Sequence, residues 1–206
     1  MATTKKISRS EQKARRPGEI MDAAFEEFIE NGYVATRVED IAKRLGITKG
    51  TIYLYFPNKD ALFESMICHI SSPFSELLNQ VDILEVSYDK RVRKMLLLAY
   101  EKIARDRKVR EMIRLCLAEG KRFPHIVNIL STEFITPLMH AIKVLVQEGV
   151  RLGEFRQGPA ADLPDIVVSS VIHLIVTDLL LPGKRPFDEK AFIDAHLDLI
   201  SHGLGA

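Results

Sequence analysis

Apolar residues recur every three or four positions along most of this chain and period-two alternation is scarce, so the pattern predicts helices and no strands. Ile20, Ala23, Ala24, Phe25 and Phe28 form a first stripe, which Asn31-Gly32 should stop. Thr36-Arg37-Val38-Glu39 then reads as a capping box, in which Thr36 and Glu39 would satisfy each other's backbone donors. It opens a short helix with Val38, Ile41, Ala42 and Leu45 inward, stopped by Gly46. Thr48 caps a second short helix running toward Tyr55, which must end before Pro57. Asn58 caps a fourth helix containing Ala61, Leu62 and Met66, with an interruption expected at Ser72-Pro73.

Past Tyr88 the segments lengthen. Residues 91–106 read as one helix with Val92, Met95, Leu96, Ala99 and Ile103 on a face, and 109–119 as a shorter one stopped by Gly120. Pro124 suits the first turn of a helix that continues to Leu152-Gly153, with a distortion expected at Pro137. Two more helices follow, one opening at Ala160 and closing at Leu181, the other running from Phe187 to Ser201, with Pro182-Gly183 and Pro186 between them. The expected architecture is all-α, about nine helices in total: a small three-helix N-terminal domain and a larger C-terminal bundle.

Composition narrows the class. Of 206 residues, 47% are hydrophobic and 28% charged, the balance of a globular chain, and the net charge of +1 argues against an indiscriminate polyanion binder. The charge is unevenly placed. Lys5, Lys6, Arg9, Lys13, Arg15 and Arg16 face only Glu11, which predicts a flexible basic arm over residues 1–16. Cys68 and Cys116 cannot build a disulfide framework or a four-thiolate zinc site, and His125, His140 and His173 are too dispersed for a metal centre. The basic N-terminus has no apolar stretch behind it, unlike a signal peptide. The apolar run 166–181 is shorter than the ~20 residues of a membrane span and carries Ser169, Ser170, His173 and Asp178, so a buried helix and a cytoplasmic protein are expected.

Residues 36–56 form one unit. A short helix, a tight turn at Leu45-Gly46-Ile47 and a second capped short helix follow the logic of a helix-turn-helix, with Val38, Ile41, Ala42, Leu45, Ile47 and Ile52 spaced to fill its small core. Gly46 supplies a left-handed turn residue at little steric cost. The second helix keeps Lys49, Gly50, Thr51, Tyr53, Leu54 and Tyr55 for the outside. Polar members of that set can donate to phosphates or base edges, and Gly50 allows close backbone approach.

In Phe28-Ile29-Glu30-Asn31-Gly32-Tyr33, Thr36-Arg37-Val38-Glu39-Asp40-Ile41-Ala42, Gly46-Ile47-Thr48-Lys49-Gly50-Thr51-Ile52-Tyr53-Leu54-Tyr55-Phe56 and Asn58-Lys59-Asp60-Ala61-Leu62 the chain resembles the TetR family of ligand-responsive transcription regulators. The resemblance implies a DNA-binding domain over residues 17–62, with residues 48–55 as recognition helix. Lys49 and Gly50 would meet base edges, with Tyr53 close by, and Thr51 and Tyr55 the phosphates; Thr48 is also among the DNA-binding residues. Thr36 and Arg37 would touch the backbone or a base, and Lys59 would hold a phosphate. Leu54 stands where the family often has an aromatic residue or histidine.

The resemblance also implies that residues 63–206 dimerise and bind a small effector. The helix after Ala160 has almost no polar face, through Ile166, Val167, Val171, Leu174 and Ile175, and would pair with the last helix and their two-fold copies in a homodimer. Met95, Leu98, Met112, Cys116, Phe134, Leu138, Met139, Ile142 and His173 are candidates for the wall of an effector pocket, mainly apolar. No nucleophile elbow, phosphate loop or dinucleotide fingerprint is present, so neither enzyme activity nor a cofactor or metal is expected. The expected function is a repressor released from a palindromic operator by an apolar effector. An activator, or a DNA-binding protein of little sequence specificity, fits the same residues.

Overall fold

The computed structural model describes residues 8–82 and 86–205. Helix α1 (Arg9–Ala35) starts at a capping box: the Ser8 hydroxyl accepts from the Glu11 N–H at 3.2 Å, and the Glu11 carboxylate accepts from the Ser8 N–H at 2.8 Å. That local signal overrides the expected arm. Residues 9–16 are helical, while Lys5 and Lys6 lie outside the described residues. The predicted apolar stripe is the buried face of α1. At Asn31-Gly32 the expected stop becomes a kink, Gly32 taking φ +78° before helical residues resume to Ala35.

Helices α2 (Val38–Leu45) and α3 (Lys49–Tyr53) are joined through Gly46, whose φ of +66° is the left-handed conformation the turn requires. Helix α4 (Lys59–Asp82) begins where Asn58 Oδ1 accepts the Ala61 N–H at 2.8 Å. It runs past Pro73 without the expected break, one missing N–H being too little to end a helix with intact turns on both sides.

Helix α5 (Tyr88–Ala99) widens into a π-helical stretch, Tyr100–Ala104, where one regular helix was expected. After α6 (Arg107–Glu119) and α7 (Pro124–Leu130) a second π-helical stretch, Ser131–Ile135, leads into α8 (Thr136–Arg151). The distortion assigned to Pro137 therefore falls in the turn before it, because the proline ring excludes the carbonyl four residues earlier and the wider turn makes room. The combined run 124–151 is long and apolar enough to cross a bilayer by length and composition, but Ile126, Leu130, Leu138, Ile142 and Val146 are packed into the core. Pro164 divides the next expected helix into α9 (Pro159–Asp162) and α10 (Pro164–Leu180), with Leu163 extended as a residue before proline must be. Helix α11 (Glu189–Leu204) is capped by Asp188.

Helix α1 packs on α2, α4 and α6, while α4 also touches α5, α7 and α8, so α4 belongs to both halves. Two ion pairs tie α6 to α1: a bidentate Arg107–Glu26 pair at 2.9 and 3.0 Å, and Lys108–Asp22 at 2.6 Å.

The junction of α1 with α4 corrects two expectations. Thr36 does not cap α2. It is the C-cap of α1, 2% exposed, and its hydroxyl donates to the Gly32 carbonyl at 2.8 Å and the Glu27 carbonyl at 3.0 Å. Arg37 stands at the N-cap of α2 without a side-chain bond. The Lys59 ammonium donates to the carbonyls of Tyr33 (2.8 Å), Thr36 (3.3 Å) and Val34 (3.4 Å) and sits 4.5 Å from the centre of the Tyr33 ring. The shortest of these bonds, to Tyr33, ties the start of α4 to the end of α1. Burial holds the Lys59 pKa below the ordinary lysine value.

Replacing Lys59 with Met should therefore lower unfolding free energy by about 1–3 kcal/mol in a urea titration, through orphaned carbonyls at the end of α1. Gly149 makes a second test. A Cβ there would lie 2.2 Å from the buried Phe155 ring, so Gly149→Ala should destabilise by about 1–3 kcal/mol in the same measurement.

Candidate nucleic-acid interface and apolar cavity

Helix α3 is held by one inward residue. Ile52 is 1% exposed, and Thr48 starts the helix by accepting the Thr51 N–H at 3.2 Å. Around Ile52 the helix turns Lys49, Gly50, Tyr53 and Leu54 to solvent, with Thr51 half-buried and its hydroxyl 3.0 Å from that of Thr48. Helical geometry extends through Leu54. Tyr55, expected at phosphates, is half-buried and packs toward the core. Gly50 faces open space, the nearest atom to a Cβ there being Thr48 Oγ1 at 3.7 Å.

Lys49 crosses to α2 and donates to Glu39 at 2.9 Å; this bond raises the lysine pKa and lowers that of the carboxyl. The pair is exposed, so exchanging Glu39 for another anion costs little. Arg37 is exposed beside it. Of the residues expected at DNA, Arg37, Thr48, Lys49, Gly50 and Tyr53 are exposed and Thr51 and Tyr55 half-buried, with Leu54 exposed beside them. Thr36 is buried, and the half-buried Lys59 bonds carbonyls at the end of α1.

A cavity of about 260 Å³ lies in the C-terminal half, lined by side chains of α5, α6, α7, α8, α10 and both π-helical stretches. Cys116, Phe134, Leu138 and Met139 line it as expected. Met95, Met112 and Ile142 are core residues elsewhere, and Leu98 is half-buried against the core. His173 stacks instead on Phe187 and Phe192, at 5.8 and 5.4 Å between ring centres. Ala99, Ile103, Leu130, Val168 and Val171 were not among the expected wall. The π-helical turns rotate the residues of 100–104 and 131–135 off a regular register, and the one signal for this in the sequence was the distortion at Pro137. Burial pushes the Cys116 thiol up to about 12, so it is a protonated part of an apolar wall. Among the described residues no group of three His, Cys, Asp or Glu side chains gathers as a metal site.

Helix α7 connects the two regions. Val127 and Leu130 line the cavity, while Phe123 and His125 at its start lie against Tyr33, at 5.7 and 5.6 Å between ring centres. His125 Nε2 is 3.6 Å from the Asp60 carboxylate, which also accepts the Tyr33 hydroxyl proton.

The sequence profile of bacterial regulatory proteins of the tetR family matches residues 20–66, the span from the buried face of α1 to the first turns of α4. The fatty acid metabolism regulator protein of Bacillus subtilis is 27% identical over 93% of this chain and 98% of its own. Two solved structures share the fold. The fatty acid degradation regulator FadR of Bacillus halodurans matches with a TM-score of 0.71 and 23% identity, over 95% of this chain and 96% of the other. The regulator FadR of Bacillus subtilis, solved in complex with stearoyl-CoA, matches with a TM-score of 0.69 and 22% identity, over 91% and 98%. With its exposed α3, its left-handed turn at Gly46 and its all-helical C-terminal half, this chain is a DNA-binding transcriptional regulator whose residues 20–66 match the tetR family.

Proposed function

We propose that the chain is a homodimeric repressor that leaves a palindromic operator when a long acyl chain fills the apolar cavity. Residues 17–62 read DNA, residues 63–206 sense and dimerise, and the protein acts in the cytoplasm by binding rather than catalysis. The observation that carries the reading is the wholly apolar cavity whose wall includes α7, the helix that also rests on Tyr33 at the edge of the DNA-binding domain.

Each part has a physical support. The wall offers hydrocarbon and no charge, so it suits an alkyl chain, each methylene of which gains about 0.8 kcal/mol on leaving water. The acyl class is favoured by the relatives, regulators of fatty acid metabolism and one bound to stearoyl-CoA. Dimerisation is favoured by α10, where Ile166, Ile172, Val176 and Leu180 form an exposed apolar stripe at helical spacing that a lone monomer rarely leaves in water. A two-fold pair would set two α3 helices about 34–36 Å apart, the span of successive major grooves. A ligand shifts that spacing only through different affinity for the bound and released conformers.

Adding acyl-CoA thioesters of increasing length should weaken operator binding by roughly 5- to 150-fold, measured by fluorescence anisotropy. Val171→Phe, which fills the cavity from α10, should keep operator binding and lose the response. An affinity unmoved by any bound thioester would refute the effector assignment. Separately, Val176→Lys should convert the dimer to monomer in analytical ultracentrifugation, and an unchanged sedimentation coefficient would displace the interface from α10.

A further inference from the structure

We propose that Leu54 is a base-reading residue whose side chain docks on the C5-methyl group of a thymine in each operator half-site. The inference rests on the reading that α3 enters the major groove, and it adds a contact that the polar residues of α3 cannot supply.

Ile52 marks the inward side of α3. At about 100° per residue, Gly50 and Leu54 stand two positions before and after it, roughly 200° around the axis, so both lie at the middle of the outward face. Thr51 and Tyr53 lie toward its flanks, roughly 100° from Ile52, and Lys49, roughly 60° from it, stands at the edge beside α2. Gly50 carries no side chain, which leaves Leu54 as the projecting group on that central line. Its backbone is helical, with φ −68° and ψ −24°, so the wheel holds through this position. The leucine is 82% exposed, more than any other large apolar side chain among the described residues, and it is absent from the side chains packed on the core, unlike its neighbour Tyr55. Nothing among the described residues accounts for its apolar character.

The chemistry of the groove supplies the match. Base edges present hydrogen-bond donors and acceptors throughout the major groove, and the thymine methyl is their one apolar group. A leucine pressed on any other edge would strip water from polar atoms without replacing the bonds. Leu54 therefore favours thymine at its position and disfavours guanine and cytosine, while Lys49, at the edge beside α2, carries the charge. The bare backbone at Gly50 lets the helix sit deep enough for a side chain of this length to reach the base edge.

The test needs an operator, obtained by selecting bound duplexes from random DNA with the full-length protein. Each thymine of that operator is then replaced, symmetrically in both half-sites, by deoxyuridine, which preserves base pairing and removes only the methyl group. One symmetric pair should weaken the parent protein by about fourfold per methyl removed. Leu54→Ala should bind the unmodified operator more weakly and be indifferent to deoxyuridine at that same pair, with an unchanged melting temperature because the residue is exposed. The proposal is overturned if no deoxyuridine pair alters the affinity of the parent, or if Leu54→Ala retains the full sensitivity of the parent. If no sequence is enriched at all, the entry of α3 into the groove falls with it, whereas an enriched operator without methyl sensitivity removes only the role of Leu54.

Discussion

The end of α1 is the constraint on which the rest of the molecule is hung. A helix terminus leaves its last carbonyls without partners inside the helix, and in its part-buried stretch they need other donors. Here Lys59 and the Thr36 hydroxyl supply the missing donors, and in doing so they lock the start of α4 to the end of α1. Helix α2 is fixed to the same helix by Arg44, which bonds Glu27 at 2.7 Å and also pairs with Glu30. Helix α3 adds little area of its own, with Ile52 as its single buried side chain, so its direction is inherited from these anchors.

The same junction receives the other half of the molecule. Tyr33 is shared by Phe28, Phe63, Phe123 and His125, residues of α1, α4 and the α6–α7 corner. Movement of α7 outward from the cavity would be felt at Tyr33 and Asp60, at the hinge where α4 begins. Lys108–Asp22 and Arg107–Glu26 add contacts between α6 and α1 beside it. A packed contact of this kind has few intermediate arrangements, which is what the proposed release from operator would draw on.

How much of this could be read from sequence depended on range. The turn at Gly46, the Thr48 cap and the inward Ile52 are set by neighbours a few residues away, and they fell where periodicity put them. Lys59 did not: its partners lie 23 to 26 residues earlier, and an exposed lysine looks the same in sequence as one turned into a helix end. Thr36 failed for a related reason. A threonine three residues before a glutamate signals a capping box, but the same hydroxyl can serve the helix that precedes it. The cavity was legible at Cys116, Phe134, Leu138 and Met139 but not at Val168 and Val171, because α10 is apolar almost all round and which of its sides meets α5 and α8 is decided by long-range packing.

The Lys49–Glu39 pair has a consequence for how such a protein searches a genome. A lysine already holding a carboxylate brings almost no net positive charge to a chance encounter, and on contact it must hand Glu39 back to water beside a row of phosphates. The pair is exposed and gives up little in that exchange, so Lys49 can trade one anion for another without disturbing α3. With a net charge of only +1, the protein has little general attraction for polyanions to add to it.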